Sequence, residues 1–190
     1  PAERASVMHA VGSLERLGAG EWSPTAPSPI DLLLGSAGVL RLLRLGPGDD
    51  ALTTLRAETW CAAARHWGSV TPVALDRNPG DLAHSDPLKR SAAILEAEEI
   101  VRRAITDIGL PADDVRIDVL RSVVVSGSAK PNRYPRFPVE SSKPQRVLVH
   151  VRLEFPQPVA GPIVLGAGRY RGLGLCLPTV ESNWNAGGGE

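Results

Sequence analysis

A chain of 190 residues with 43% hydrophobic side chains can bury one generous domain or two small ones. Its longest apolar stretch, residues 30–45, is broken by Asp31, Gly35, Gly38, Arg41 and Arg44, which excludes a membrane span there, and two cysteines without metal-ligand spacing exclude a disulfide framework. The formal net charge is zero, but residues 116–175 carry ten Lys or Arg against three acids and residues 76–115 nine acids against five bases, so a neutral total hides an acidic and a basic half.

The first residue is Pro1 rather than Met, and no basic-then-apolar leader follows. A fragment or cleaved product of a cytoplasmic protein is therefore expected. Val7, Val11, Leu14 and Leu17 recur at helical spacing, and Gly18 to Gly20 end the pattern. Residues 21–29 hold Pro24, Pro27 and Pro29 and read as a loop. Residues 30–34 and 39–45 read as strands of a hairpin, and Gly46-Pro47-Gly48-Asp49 is a strong breaker. A domain boundary is expected near Arg65, dividing residues 1–65 from 66–180, with residues 181–190 a flexible glycine-rich tail.

The second domain is expected to open with a strand at 69–75 and a turn at Asp76-Arg77-Asn78-Pro79-Gly80. Asp86 can cap a helix whose first position is Pro87, where a missing N–H costs nothing. Ile94, Ala97, Val101, Ala104, Ile105 and Ile108 form its expected buried stripe. Glu98–Arg102 and Glu99–Arg103 are the expected pairs along its solvated side, and Gly109 with Pro111 stop it. A second strand starts at Val115, with a bulge expected at Leu120, where the alternation slips. The segment 126–144 has no period and mixes Ser, Pro and bases with Tyr134 and Phe137, which marks it as mobile or functional. Residues 146–155 alternate cleanly: Val147, Val149, Val151, Leu153 and Phe155 face a core, and Arg146, His150, Arg152 and Glu154 face away. A last strand follows a glycine-rich turn. The order strand, helix, strand, strand, glycine-rich turn, strand predicts an α+β, ferredoxin-like antiparallel sheet with the second helix reduced or absent.

In that turn Gly166, Gly168, Gly172 and Gly174 flank Arg169-Tyr170-Arg171. Glycine admits positive φ and lets backbone N–H groups approach an anion. Arginine offers a fork for phosphate, and tyrosine can stack on an unpaired base. No Gly-Lys-Ser/Thr follows, so the turn is not a Walker loop, and it opens no helix, so it is not a dinucleotide fingerprint. A glycine-bulged hairpin of purely structural role reads equally well.

Three segments together, Trp67 to Arg77, Val149 to Phe155, and Gly161 to Tyr170, resemble one family. It is the fused subunit of type I-U (also called I-G) CRISPR systems, the Csb family. That subunit joins a Cas-five-like half to a Cas-six-like half within the RAMP superfamily. The resemblance is close from Trp67 to Pro178 and looser over residues 1–66, which it identifies as the later part of the Cas-five-like half. It implies a RAMP or RRM-like fold that binds the repeat stem-loop or handle of CRISPR RNA. It further implies cutting of the precursor without metal, by attack of the 2′-OH on the adjacent phosphate. Such chemistry needs a base, an acid and cations around the phosphorane.

The resemblance makes His84, between the first strand and the first helix, the leading catalytic candidate, with His66 second. It gives an RNA-binding role to Gly166, Gly168, Arg169, Tyr170, Arg171 and Gly172, joined by Arg77, Lys130, Arg133, Lys143 and Arg146. His150 is expected to line an RNA track rather than to catalyse. No metal and no cofactor are expected. The implied partners are CRISPR RNA, other effector subunits and, through the complex, target DNA, with no membrane. Three function classes stay open: a metal-independent endoribonuclease, a binding subunit that holds guide RNA without cutting, and an unrelated nucleotide-binding enzyme built on the glycine turn.

Overall fold

The computed structural model describes residues 30–33, 38–42, 53–138 and 144–180. The expected helix over 3–17, the loop at 21–29, the breaker at Gly46, Lys143 and the 181–190 tail lie outside them. The chain divides into two compact units, Pro1–Leu52 and Thr53–Glu190.

In the first unit β1 (Ile30–Leu33) and β2 (Val39–Leu42) pair antiparallel, Ile30 opposite Leu42 and Leu33 opposite Val39. Asp31 and Arg41 face each other across this hairpin and form two hydrogen bonds of 2.7 Å. That hydrogen bonding holds the Asp31 carboxyl below its ordinary range.

The second unit is a mixed α+β fold around an antiparallel sheet. A short helix, α1 (Ala57–Cys61), precedes β3 (Ala64–Ser69) and β4 (Val73–Ala74). A 21-residue helix, α2 (Pro87–Asp107), leads to β5 (Arg116–Leu120), β6 (Leu148–Val159) and β7 (Cys176–Pro178). β6 pairs with β5 along one edge and with β3 along the other, and β3 pairs in turn with β7. After a two-residue slip β4 resumes along β6, Val73 opposite Val149. Trp67, Leu153 and Ile117 stand in one register row, all buried, and form the centre of the core with Phe155, Val101 and Ile105. The Trp67 indole N–H, buried with its ring, donates to the Ala64 carbonyl.

Local signals place α2 as the sequence predicts. Asp86 accepts the Leu88 N–H at 2.9 Å, Pro87 occupies the first position, and Gly109 closes the helix at φ +79°. Gly109 N–H to Thr106 O and Leu110 N–H to Ile105 O complete a Schellman stop. Four expectations change. The first strand starts at Ala64, not at Ser69, and is interrupted at Val70–Pro72, where Pro72 has no N–H for a ladder and the Val70 and Thr71 N–H groups turn to Leu175 O. The helix stripe is rotated: Ala93 and Ile100 are buried, while Ile94 and Ile108 are half-buried. The Glu99–Arg103 pair forms at 3.2 Å, but the Arg102 guanidinium donates to the Ala112 and Val115 carbonyls, which ties the α2–β5 connection to the helix. Finally, β5 runs in register through Leu120 opposite His150, so the bulge is not there; the irregularity lies between Ala64 and His66.

Candidate nucleic-acid interface

Beyond β5 the chain crosses the sheet and forms a short turn at Pro131–Arg133 before returning to β6. Between this loop and the start of β6 lies a groove of about 640 Å³. Arg121, at the end of β5, Lys130 and Arg136, on the loop, and Arg146, before β6, line it together with Tyr134 and Phe137. No acid is among its described lining residues. Among the described residues no carboxylate forms an ion pair with any of the four cations; Arg146 donates weakly, at 3.5 Å, to the Leu75 carbonyl. The Arg146 N–H also donates to Phe137 O at 2.7 Å and closes the far end of the loop. Four guanidinium or ammonium groups held together, with no counter-charge among the described residues, favour an anion of several charges. The two aromatic rings give it a surface for flat, unpaired bases.

A smaller hollow adjoins the groove through Gln145 and Arg146 and is lined by Asp76, Arg77 and Asn78. Arg77 sits there, half-exposed, in a 2.6 Å ion pair with Glu96. Arg133 ends the 131–133 turn, exposed, and does not line the groove. Lys130 and Arg146 are thus the expected RNA contacts that the fold brings together, and Arg121 and Arg136 are groove cations that no motif picked out. The signal for them was the charge excess of residues 116–175, which has no address until β5 and β6 pair.

Away from the groove, the glycine-rich turn packs against β4. Ala167 N–H donates to Ala74 O, Gly174 N–H to Pro72 O and Leu165 N–H to Gly174 O. A Cβ on Gly174 would lie 1.9 Å from the Leu165 carbonyl oxygen, and one on Gly166 2.4 Å from that of Ala74, both at positive φ. These two glycines are therefore required for the backbone's close approach. Gly168 and Gly172 bracket the turn Arg169–Arg171. Tyr170 is 85% exposed, with the Arg169 guanidinium 4.9 Å from its ring centre, and Arg171 is exposed. What this turn offers a ligand is side chains, since the N–H groups of Arg169, Arg171 and Leu173 bond within it.

The two candidate histidines occupy different settings. His84 is half-buried before α2; its Nδ1 accepts the Asp86 N–H at 2.9 Å, and its carbonyl accepts from Arg90. A neutral ring so held carries its hydrogen on Nε2, so it presents a donor rather than a lone pair. His66 lies on β3 in a register row with Glu154 and Arg116, on the face opposite the Trp67 row. Its Nε2 is 3.7 Å from Glu154 Oε1, and Arg116 Nη1 is 3.9 Å from the other carboxylate oxygen. His150, expected to face an RNA track, is instead fully buried, because the segment after β5 covers that part of the sheet.

The model of a family described as CRISPR-associated protein, GSU0054 family, matches residues 39–178. Neither the curated proteins nor the solved structures contain a match.

Proposed function

We propose, since this chain belongs to the CRISPR-associated protein GSU0054 family, that it binds the repeat-derived part of CRISPR RNA through the groove between β6 and the 130–137 loop. One observation carries the reading: four cations and two aromatic rings converge there with no acid among the described lining residues. Phosphates would take the place of released counterions, and unpaired bases would stack on Tyr134 and Phe137. The finer identity is the fused Cas-five/Cas-six subunit of type I-U effectors. Residues 1–65 then belong to the Cas-five-like half and 66–180 to the RNA-processing half, and other effector subunits and target DNA are met within the complex. A ferredoxin-like assignment of the second half is supported by strand order. Counting β3, β5, β6 and β7 as first to fourth, they lie 4-1-3-2 across the sheet, every neighbour antiparallel. The Arg169–Arg171 turn stands where the second helix would be.

The test is repeat-RNA binding by the Arg121→Ala, Arg136→Ala, Arg146→Ala triple variant across a salt series. Three lost contacts to a single strand should flatten the slope of log K against log salt by about 2. An unchanged affinity and slope would sink the groove reading.

The row His66–Glu154–Arg116 favours a second reading, in which the same subunit cuts the precursor. His66 would take the 2′-OH proton, with Glu154 stabilising the imidazolium and Arg116 facing the charge on the phosphorane. The 2′-oxygen bonds to phosphorus, the bond to the 5′-oxygen breaks, and that oxygen leaves with a proton taken from water, giving a 2′,3′-cyclic phosphate and a 5′-OH. His66→Ala should slow cutting by about two to four orders of magnitude while RNA binding persists, and cutting should proceed in chelator. If His84→Ala loses activity and His66→Ala keeps it, the role belongs to the helix-proximal histidine. A wild-type protein that binds but never cuts leaves a binding subunit alone.

A further inference from the structure

His150 is completely buried, and both ring nitrogens are engaged. Nδ1 lies 2.8 Å from Ser69 Oγ, and Nε2 lies 3.0 Å from the Ala129 carbonyl oxygen. Ser69 Oγ also accepts the Val151 N–H at 2.9 Å. One proton assignment satisfies every member. The Ala129 carbonyl can only accept, so Nε2 carries the hydrogen, and Nδ1 takes the hydroxyl hydrogen of Ser69. The Ser69 carbonyl, 3.1 Å from Nδ1, is then a neighbour rather than a partner. A relay runs from Val151 N–H through the Ser69 hydroxyl and the imidazole to Ala129. It starts on two strands and ends one residue before Lys130.

A second observation shows how closely this segment is seated. A Cβ on Gly68, on the same sheet face as His150, would lie 2.8 Å from a methyl of Val124 and 3.0 Å from one of Val125. β3 thus needs a glycine where the covering segment crosses it. Past Ala129, Lys130 accepts the Arg133 N–H at 2.9 Å and starts the turn; at the far end the Arg146 N–H holds Phe137. Lys130, Tyr134 and Arg136, which line the groove, all lie between these two pins.

We infer that His150 is a positioning residue for nucleic-acid binding: through Ala129 it fixes the near end of the loop that carries the groove. It touches no ligand itself, and the inference rests on the groove reading given above. A buried imidazole is suited to the task because one rigid ring accepts from the Ser69 hydroxyl on one segment and donates to the Ala129 carbonyl on another. Without it the buried Ser69 hydroxyl would lose its acceptor and the Ala129 carbonyl its donor.

Two measurements on His150→Ala and His150→Gln test this: repeat-RNA binding over a salt series, and amide hydrogen exchange of residues 129–137 without RNA. In the alanine variant, exchange should quicken in that loop while β6 keeps its protection. RNA affinity should fall roughly tenfold, the worth of one charge-assisted contact, and the salt slope should flatten by about 0.7. The glutamine amide can donate to Ala129 and accept from Ser69, so His150→Gln should restore both readouts. Wild-type exchange and binding in the alanine variant would overturn the inference, as would a folded glutamine variant that rescues neither. A loosened loop with unchanged RNA affinity would also overturn the positioning role, and the triple groove variant then tells whether the groove reading falls with it. Should His150→Ala fail to fold, Gly68→Ala carries the test. It keeps the imidazole but displaces Val124 and Val125, and the same local loss supports the inference while wild-type behaviour refutes it.

Discussion

Glu98 is a charged residue held at an energetic disadvantage by its position on α2. Burial raises its pKa above the ordinary glutamate value; the Asp118 carboxylate adds to the rise, and Arg102 opposes it. Arg102 compensates poorly because its guanidinium is engaged by the Ala112 and Val115 carbonyls. A raised folded-state pKa means that the fold favours the protonated acid. The stabilisation is therefore complete below the unfolded value and is lost as pH rises through the folded one. Glu98→Gln should raise the urea midpoint at neutral pH, and the gain should vanish at or below about pH 4, where the unfolded carboxyl is also protonated. A gain that grows on acidification would contradict the assignment. Cys176 shows the same desolvation without a partner charge: burial pushes its thiol up to about 12, which leaves it neutral and unreactive. His150 was not legible from its own neighbourhood. Alternation placed it correctly on the non-core face of β6, but its burial comes from residues 124–129, and nothing local to Val149 or Val151 announces that cover.

Elements were readable where their determinants are sequence neighbours and obscure where they are imposed from elsewhere. Both ends of α2 are written within a few residues, by Asp86 with Pro87 and by Gly109. β3 contains His66, Trp67 and Gly68, poor local evidence for a strand, and is extended because β6 and β7 pair with its two edges. The stripe of α2 is shifted: Ala93, small enough to lie close to Gly80 of the preceding turn, is buried, while the larger Ile94 stays half-exposed. In the glycine-rich turn the sequence offered two readings for its glycines, and geometry divides them. Gly166 and Gly174 are steric necessities of packing on β4 and Leu165, whereas Tyr170 and Arg171 are presented to solvent and Arg169 is half-buried beside them. The groove was half legible: its charge excess stood out, but Arg121 and Arg146 become neighbours only when β5 and β6 pair.

The zero net charge of the chain conceals a segregation that the fold makes useful. Acids concentrate in residues 76–115, which include α2, and bases in the strands and loops after it. Several of these bases are already engaged: Arg116 lies 3.8 Å from Asp118 and 3.9 Å from Glu154, and Arg169 covers the Tyr170 ring. The four groove cations form no ion pair among the described residues, so they should dominate counterion release on RNA binding. This makes a quantitative distinction. If a single strand is neutralised by the groove alone, the slope of log K against log salt should be near −3, about −0.7 for each of four contacts. Engagement of all ten bases between residues 116 and 175 would give about −7. Titration of repeat RNA between about 50 and 200 mM salt covers the range in which these slopes separate. A slope near −3 that the Arg121, Arg136 and Arg146 substitutions reduce to about −1 would locate the electrostatic contact in the groove, while a steep slope insensitive to them would move it to the remaining basic surface.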